Sequence, residues 1–155
     1  MAMDLDGGKN RMRENTDRDY SEFAEFCSTE ALAASMWAEV FKAICDTVTP
    51  SSISGQAARD AMETALQGMA VPATGLAVLV AAANGFATTL MGGMAPYTPV
   101  SYPAFVPADF GDPSLAAPGV TAETAAGVMA GKIVARLATG VVQLSVPPFT
   151  VLTLL

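Results

Sequence analysis

The residue types that most often carry chemistry are sparse in this 155-residue chain, and their spacing excludes most of what they could do. There is no histidine, so a Ser-His-Asp triad, a Cys-His dyad and any histidine-containing zinc site are ruled out. Asp4 and Asp6 begin like a calcium loop, but Lys9 stands where that loop needs glycine and Asn15 where it needs a bidentate glutamate. Asp17, Asp19 and Ser21 begin again, with Glu22 and Ser28 at the same two failing positions. Gly127, Gly131 and Lys132 approximate a phosphate loop one residue too short, and Ile133 occupies the place of the magnesium-binding hydroxyl. Beyond residue 63 the only carboxylates are Asp109, Asp112 and Glu123, and the first two flank a Phe-Gly-Asp-Pro turn where capping is the ordinary role. No catalytic residue, metal site or cofactor is expected, and the chain does not read as an enzyme.

The two cysteines are more informative. Cys27 borders the first confident helix and Cys45 lies near its end. A continuous helix places them ~27 Å apart at ~1.5 Å per residue, far beyond the ~7 Å that a disulfide tolerates between Cα atoms. They are therefore free thiols or a pair of interchain links, the latter suited to a particle that survives outside a cell.

The elements that would position these residues follow from hydrophobic periodicity. Ala33, Met36, Trp37, Val40, Phe41, Ile44 and Val48 recur at the spacing of an amphipathic helix over 28–48, capped by Ser28 or Thr29 and ended by Pro50. Ala58, Met62, Leu66 and Met69 predict a second over 54–68. Residues 74–91 are apolar on all sides, the pattern of a central helix or a membrane span. Thr121 caps a fourth helix over 121–139, with Glu123 in its first turn, Arg136 in its last and Gly140 as terminator. The expected fold is thus mainly α: a small bundle of about four helices (28–48, 54–68, 74–91, 121–139), a long proline-rich connector over 95–119 and an extended or β C-terminal tail.

Three units are expected: a polar arm over 1–26, a helical domain over 27–140 and the tail over 141–155. The arm carries many charges and too little apolar surface to order itself, and its charged start has no apolar core of the kind a secretory signal needs. The connector holds six prolines, with Tyr97, Tyr102, Phe105 and Phe110 among them, and aromatic residues favour a pinned loop over a disordered one. The tail reads as two extended pieces, 141–146 and 149–154, separated by Pro147 and Pro148. It serves as an edge strand on this chain's own core or as a strand added to a neighbour.

Charge is distributed unevenly. Hydrophobic residues make up 52% of the chain and charged residues 15%, with a net charge of −7 that argues against a nucleic-acid partner. Residues 64–108 contain no charge at all, whereas the first 63 residues hold twelve acids and six bases. A neutral block of that length implies burial in a core, in a membrane or against partner chains. Its most apolar part, 69–91, is long enough to cross a bilayer, but Pro72, Gly75, Asn84 and Gly85 interrupt it and no Lys or Arg flanks it closely. A membrane is the less favoured place for it.

The charge-free middle, the charged arm, the aromatic-studded connector and the apolar tail together point to a structural assembly subunit. The layout resembles the small virion structural proteins of tailed bacteriophages. The segments that carry the resemblance are Ala-Leu-Ala-Ala-Ser-Met-Trp-Ala-Glu at 31–39, Met-Gly-Gly-Met-Ala-Pro at 91–96 and Val-Pro-Pro at 146–148. The resemblance implies a place at the neck, tail, baseplate or capsid surface of a virion assembled in the host cytoplasm. The implied partners are copies of the same chain and other virion proteins. The expected contact residues are Tyr97, Tyr102, Phe105, Phe110, Val146, Pro147, Pro148, Phe149, Val151 and Leu152, with Cys27 and Cys45 as candidate interchain disulfides. A membrane-associated helical protein and a soluble helical adaptor are the alternative readings.

Overall fold

A computed structural model describes residues 3–16, 30–67, 75–116 and 118–155. Five helices form among them: α1 (Leu5–Thr16), α2 (Glu30–Cys45), α3 (Gly55–Gln67), α4 (Gly75–Gly92) and α5 (Ala122–Leu137). One strand lies in the connector, β1 (Tyr97–Ser101), and two follow the last helix, β2 (Val141–Leu144) and β3 (Val151–Thr153). The protein is mainly helical, a small bundle with a β C-terminal tail as expected, and the tail joins a strand of the connector in a three-stranded antiparallel sheet. Cys27, the expected helix start at Ser28 or Thr29, the end of the second helix at Gly68, and Met69 lie outside the described residues.

The four anticipated helices form, and two of them on the anticipated pattern. Ala58, Met62 and Leu66 are the buried stripe of α3. Thr121 caps α5, its hydroxyl accepting from the Thr124 N–H at 3.1 Å. The helix α2 buries Ala34, Ala38, Val40, Phe41, Ile44 and Cys45, a set rotated from the anticipated one because α1 and α3 both pack on it. α4 packs along α3 and buries Leu79, Ala82, Ala83, Phe86, Ala87, Leu90 and Met91, with Phe86 against Phe41 of α2. Its remaining face exposes Leu76, Ala77, Ala81, Gly85 and Thr88, mostly small residues that cost little in water.

The fifth helix corrects the expectation for the polar arm. Residues 5–16 are helical and pack on α2 and α5 of the same chain. Asp4 caps the helix, its Oδ1 accepting from the Gly7 N–H at 2.7 Å. The Asp4 N–H itself donates to the Ile44 carbonyl at 2.9 Å, which ties the start of α1 to the end of α2. Met3 and Met12 are buried. Between them Gly8 sits directly on Ile44, where a Cβ would overlap the isoleucine side chain. Gly8 is therefore what allows the helix to approach. At the surface, Lys9 reaches Glu123 on α5 at 3.1 Å, and Arg11 lies 3.6 Å from Glu39 on α2.

The sheet order is β1-β2-β3, antiparallel throughout. Pro99, Val142 and Leu152 lie opposite one another in the ladder, and Val142 is fully buried on the core side. Leu154, also buried, carries the strand end into the core. The backbone of Leu155 then exchanges two hydrogen bonds with Thr49, at 2.9 and 3.1 Å. The tail therefore completes this chain's own fold, so the two extended pieces meet each other and the connector.

Gly8 and Gly127 should respond oppositely to the same change. At Gly127 a Cβ meets nothing within 4 Å, so Gly127→Ala should gain about 0.5–1 kcal/mol from helix propensity alone. Gly8→Val should lose about 1–3 kcal/mol through overpacking against Ile44. Urea unfolding followed by circular dichroism measures both, and equal shifts in the midpoint would contradict the packing of α1 on α2.

Candidate functional site

Two arrangements stand out among the side chains: a charged clasp on the connector and an apolar, uncharged sheet end. The clasp forms because α5 carries Lys132 and Arg136 one turn apart, facing the connector. Arg136 donates from Nε and Nη2 to the two oxygens of Asp109, each at 2.9 Å, a bidentate geometry that fixes the position of both groups. The Val106 N–H donates to the same carboxylate at 2.8 Å. Lys132 donates to the carbonyls of Ala108 and Gly111 at 3.0 and 3.1 Å and pairs with Asp112 at 3.0 Å.

Burial raises the cost of ionising Asp109, but the Arg136 hydrogen bonds, the Val106 N–H and the nearby cations outweigh it and hold the carboxyl below its ordinary value. Asp112 is lowered to about 2, chiefly by hydrogen bonds from Ser114 and then by Lys132. Asp109, Lys132, Ala135, Arg136 and Thr139 line an open depression of about 310 Å³. Its charged groups are all committed to one another or to backbone carbonyls, so the clasp fastens the connector to α5. No group of three or more His, Cys, Asp or Glu side chains is placed to hold a metal among the described residues.

Above the clasp the connector is pinned by aromatic packing. Phe105 is buried and Phe110 packs against the core. Their rings lie 5.4 and 6.4 Å from that of Phe41, and 5.7 Å from each other. The Phe105 N–H donates to Asn84 Oδ1 of α4 at 2.8 Å, so the asparagine that interrupts an apolar helix has a definite partner.

The ten expected contact residues fall into two groups. Tyr97, Phe105, Phe110 and Leu152 are buried or partly buried and pack into this chain's own core. Tyr102, Val146, Phe149 and Val151 are exposed, as are Pro147 and Pro148. Val100 joins the exposed group, a residue that sequence reasoning missed because the proline beside it hides the strand. These five large apolar side chains are between 47% and 58% exposed. Cys45 is a free, buried thiol, its ionisation opposed by burial. A bond to a neighbouring chain would require it to leave the core.

The sheet end lacks charge entirely. No residue of β1, β2, β3 or the 145–150 hairpin is charged. Val146, Pro147, Pro148 and Phe149 form the hairpin tip, with the Phe149 N–H donating to the Val146 carbonyl at 3.0 Å. Phe149 has φ 52°, the left-handed region that bulky residues rarely occupy. The tip thus holds an aromatic ring outward against a backbone preference.

No protein-family model, curated protein or solved structure matches the chain. Its surface must therefore be read from its own chemistry.

The clasp yields two measurable consequences. Arg136→Met leaves Asp109 enclosed without its cation and should cost about 1–3 kcal/mol, between the values for exposed and buried pairs; a midpoint shift below about 0.5 kcal/mol in urea would show the pair to be idle. Because the carboxyls of Asp109 and Asp112 are lowered in the fold, their contribution is present above the unfolded carboxylate value near ~3.9. It is lost as pH falls through the folded values. Stability should decline from pH ~5 toward pH ~2, and Asp109→Asn should flatten part of that decline when unfolding is followed across the same range.

Proposed function

We propose that the protein is a structural assembly subunit that uses its sheet end to contact neighbouring chains. The observation that carries the reading is that Val100, Tyr102, Val146, Phe149 and Val151, on or next to a sheet and hairpin without a single charge, are all exposed. Exposed apolar side chains gathered on one uncharged element, in a chain that otherwise carries a net charge of −7, mark interaction surfaces. The clasp and the aromatic cluster support it by holding the connector, and so β1, rigidly enough to present such a surface.

The resemblance in layout to small virion proteins of tailed bacteriophages extends the proposal to a place in a particle: neck, tail, baseplate or capsid surface. Its partners there are copies of itself and other virion proteins. A membrane span is the competing reading, because α4 (Gly75–Gly92) is long and apolar enough to cross a bilayer. Its contact with α3 and its seven buried residues fit assembly in water better.

Light scattering coupled to size exclusion tests the proposal on the full chain without detergent. The native chain should run as an oligomer, and Val146→Asp combined with Phe149→Asp should shift it toward monomer with its helical circular dichroism unchanged. A native monomer, or a native chain that stays soluble only in detergent, would overturn the assembly reading.

A further inference from the structure

The two outer edges of the sheet are not equivalent. Hydrogen-bond direction alternates along a strand, and the bonds flanking the ladder fix its phase. The Leu144 N–H donates to Thr150 O at 2.8 Å and the Leu154 N–H to Gly140 O at 3.1 Å, so Thr150, Leu152 and Leu154 bond toward β2. Val151, Thr153 and Leu155 therefore face away from it. The paired bonds of Leu155 with Thr49 confirm that direction. Val151 and Thr153 remain between the hairpin tip and that pair, and among the described residues nothing bonds to their outward backbone groups.

At the opposite edge the same reasoning gives a closed border. The Ser145 N–H donates to Pro96 O at 3.1 Å, so Tyr97 and Pro99 face outward on β1. The Tyr97 N–H is already used by Met94 O at 2.9 Å, and Pro99 has none. The register is further broken between Pro99 and Ser101. Proline, a bulge and internal satisfaction are the devices that protect a free edge from pairing. The edge of β3 has no proline, no bulge and no charge.

Resting on the assembly reading above, we infer that the open edge of β3 pairs antiparallel with the same edge of a second copy of this chain. Self-pairing fits because the free groups are self-complementary. With Leu152 facing Leu152 across a two-fold axis, Val151 of each copy meets Thr153 of the other, and each such pair exchanges both backbone bonds. The ladder then stops of its own accord, at the Phe149 turn on one side and at the Leu155–Thr49 pair on the other. No charge on the sheet is desolvated, so two chains of like net charge can meet there.

The test compares the native chain with Thr153→Pro, which removes one outward donor, and with Thr153→Lys, which places a charge on the edge. Light scattering should show the native complex dissociating in both variants, with the association constant falling at least tenfold, about 1.4 kcal/mol. A second measurement does not depend on those variants folding. In a Cys27→Ser chain carrying Val151→Cys and Thr153→Cys, mild oxidation should give a covalent dimer on non-reducing electrophoresis. An oligomer of native size in both Thr153 variants, with no covalent dimer, would overturn edge pairing while leaving assembly through the hairpin tip intact. A native monomer would overturn both. A monomer whose Val151 and Thr153 amides resist hydrogen exchange would place another part of this chain on the edge.

Discussion

The burial of Phe41 is the constraint on which the rest of the molecule depends. This α2 side chain is fully buried, and its ring packs against Phe86 of α4 at 5.2 Å as well as against Phe105 and Phe110 of the connector. Aromatic rings bury large areas and prefer the tilted and edge-on contacts seen here. The cluster fixes the angle at which the connector leaves α4. Without that angle β1 has no reason to lie beside β2, since the strands are separated by the whole of α5. Trp37 extends the cluster through an edge contact with Phe110 at 5.9 Å. A chain with only 7% aromatic residues has therefore placed five of them where the helical bundle is joined to the sheet.

Charge and apolar surface are separated along the molecule as they are along the sequence. Arg59 illustrates the charged side. It bonds Glu39, Glu63, Asp60 and Ser35, and these acids raise its ionisation against the cost of burial. The network spans α2 and α3, and Arg11 of α1 pairs with the same Glu39. The Asp109–Arg136 clasp is the last charged feature before the sheet, and nothing beyond residue 136 is charged. A connector held by ions on one side and by rings on the other needs no regular structure of its own to be positioned.

Much of this was legible in the residues, and the exceptions have physical causes. Helices α2 to α5 announce themselves through periodicity, capping and terminators, because each satisfies those local rules. α1 did not, because LDGGKNRMRENT has little apolar content and two glycines; its stability is tertiary, arising from Met3, Met12 and the close seat of Gly8 on Ile44. β1 was hidden for a related reason. Tyr-Thr-Pro-Val-Ser contains a proline, which argues against a central strand, and only its place at the sheet border makes it tolerable. Of the expected contact residues, those that fill the core and those that face water cannot be told apart from an irregular segment, because alternation is readable only where a strand is regular.

The glycine pair of α5 shows what remains when the intrachain reasons are exhausted. Gly127 and Gly131 suggest close helix approach, yet a Cβ at either would meet nothing within 4 Å among the described residues. Each glycine in a helix interior costs about 1 kcal/mol relative to alanine. The same holds for Gly85, on the outward face of α4. Gly8, by contrast, has an internal reason in its contact with Ile44. The sheet repeats this asymmetry, with β1 bordered by Pro99 and β3 left with outward backbone groups that no described residue bonds. In both places the local rule that the sequence breaks is one that would be satisfied if the surface were covered. Among the described residues, the core that runs from Met3 to Leu154 gives neither exception an internal partner.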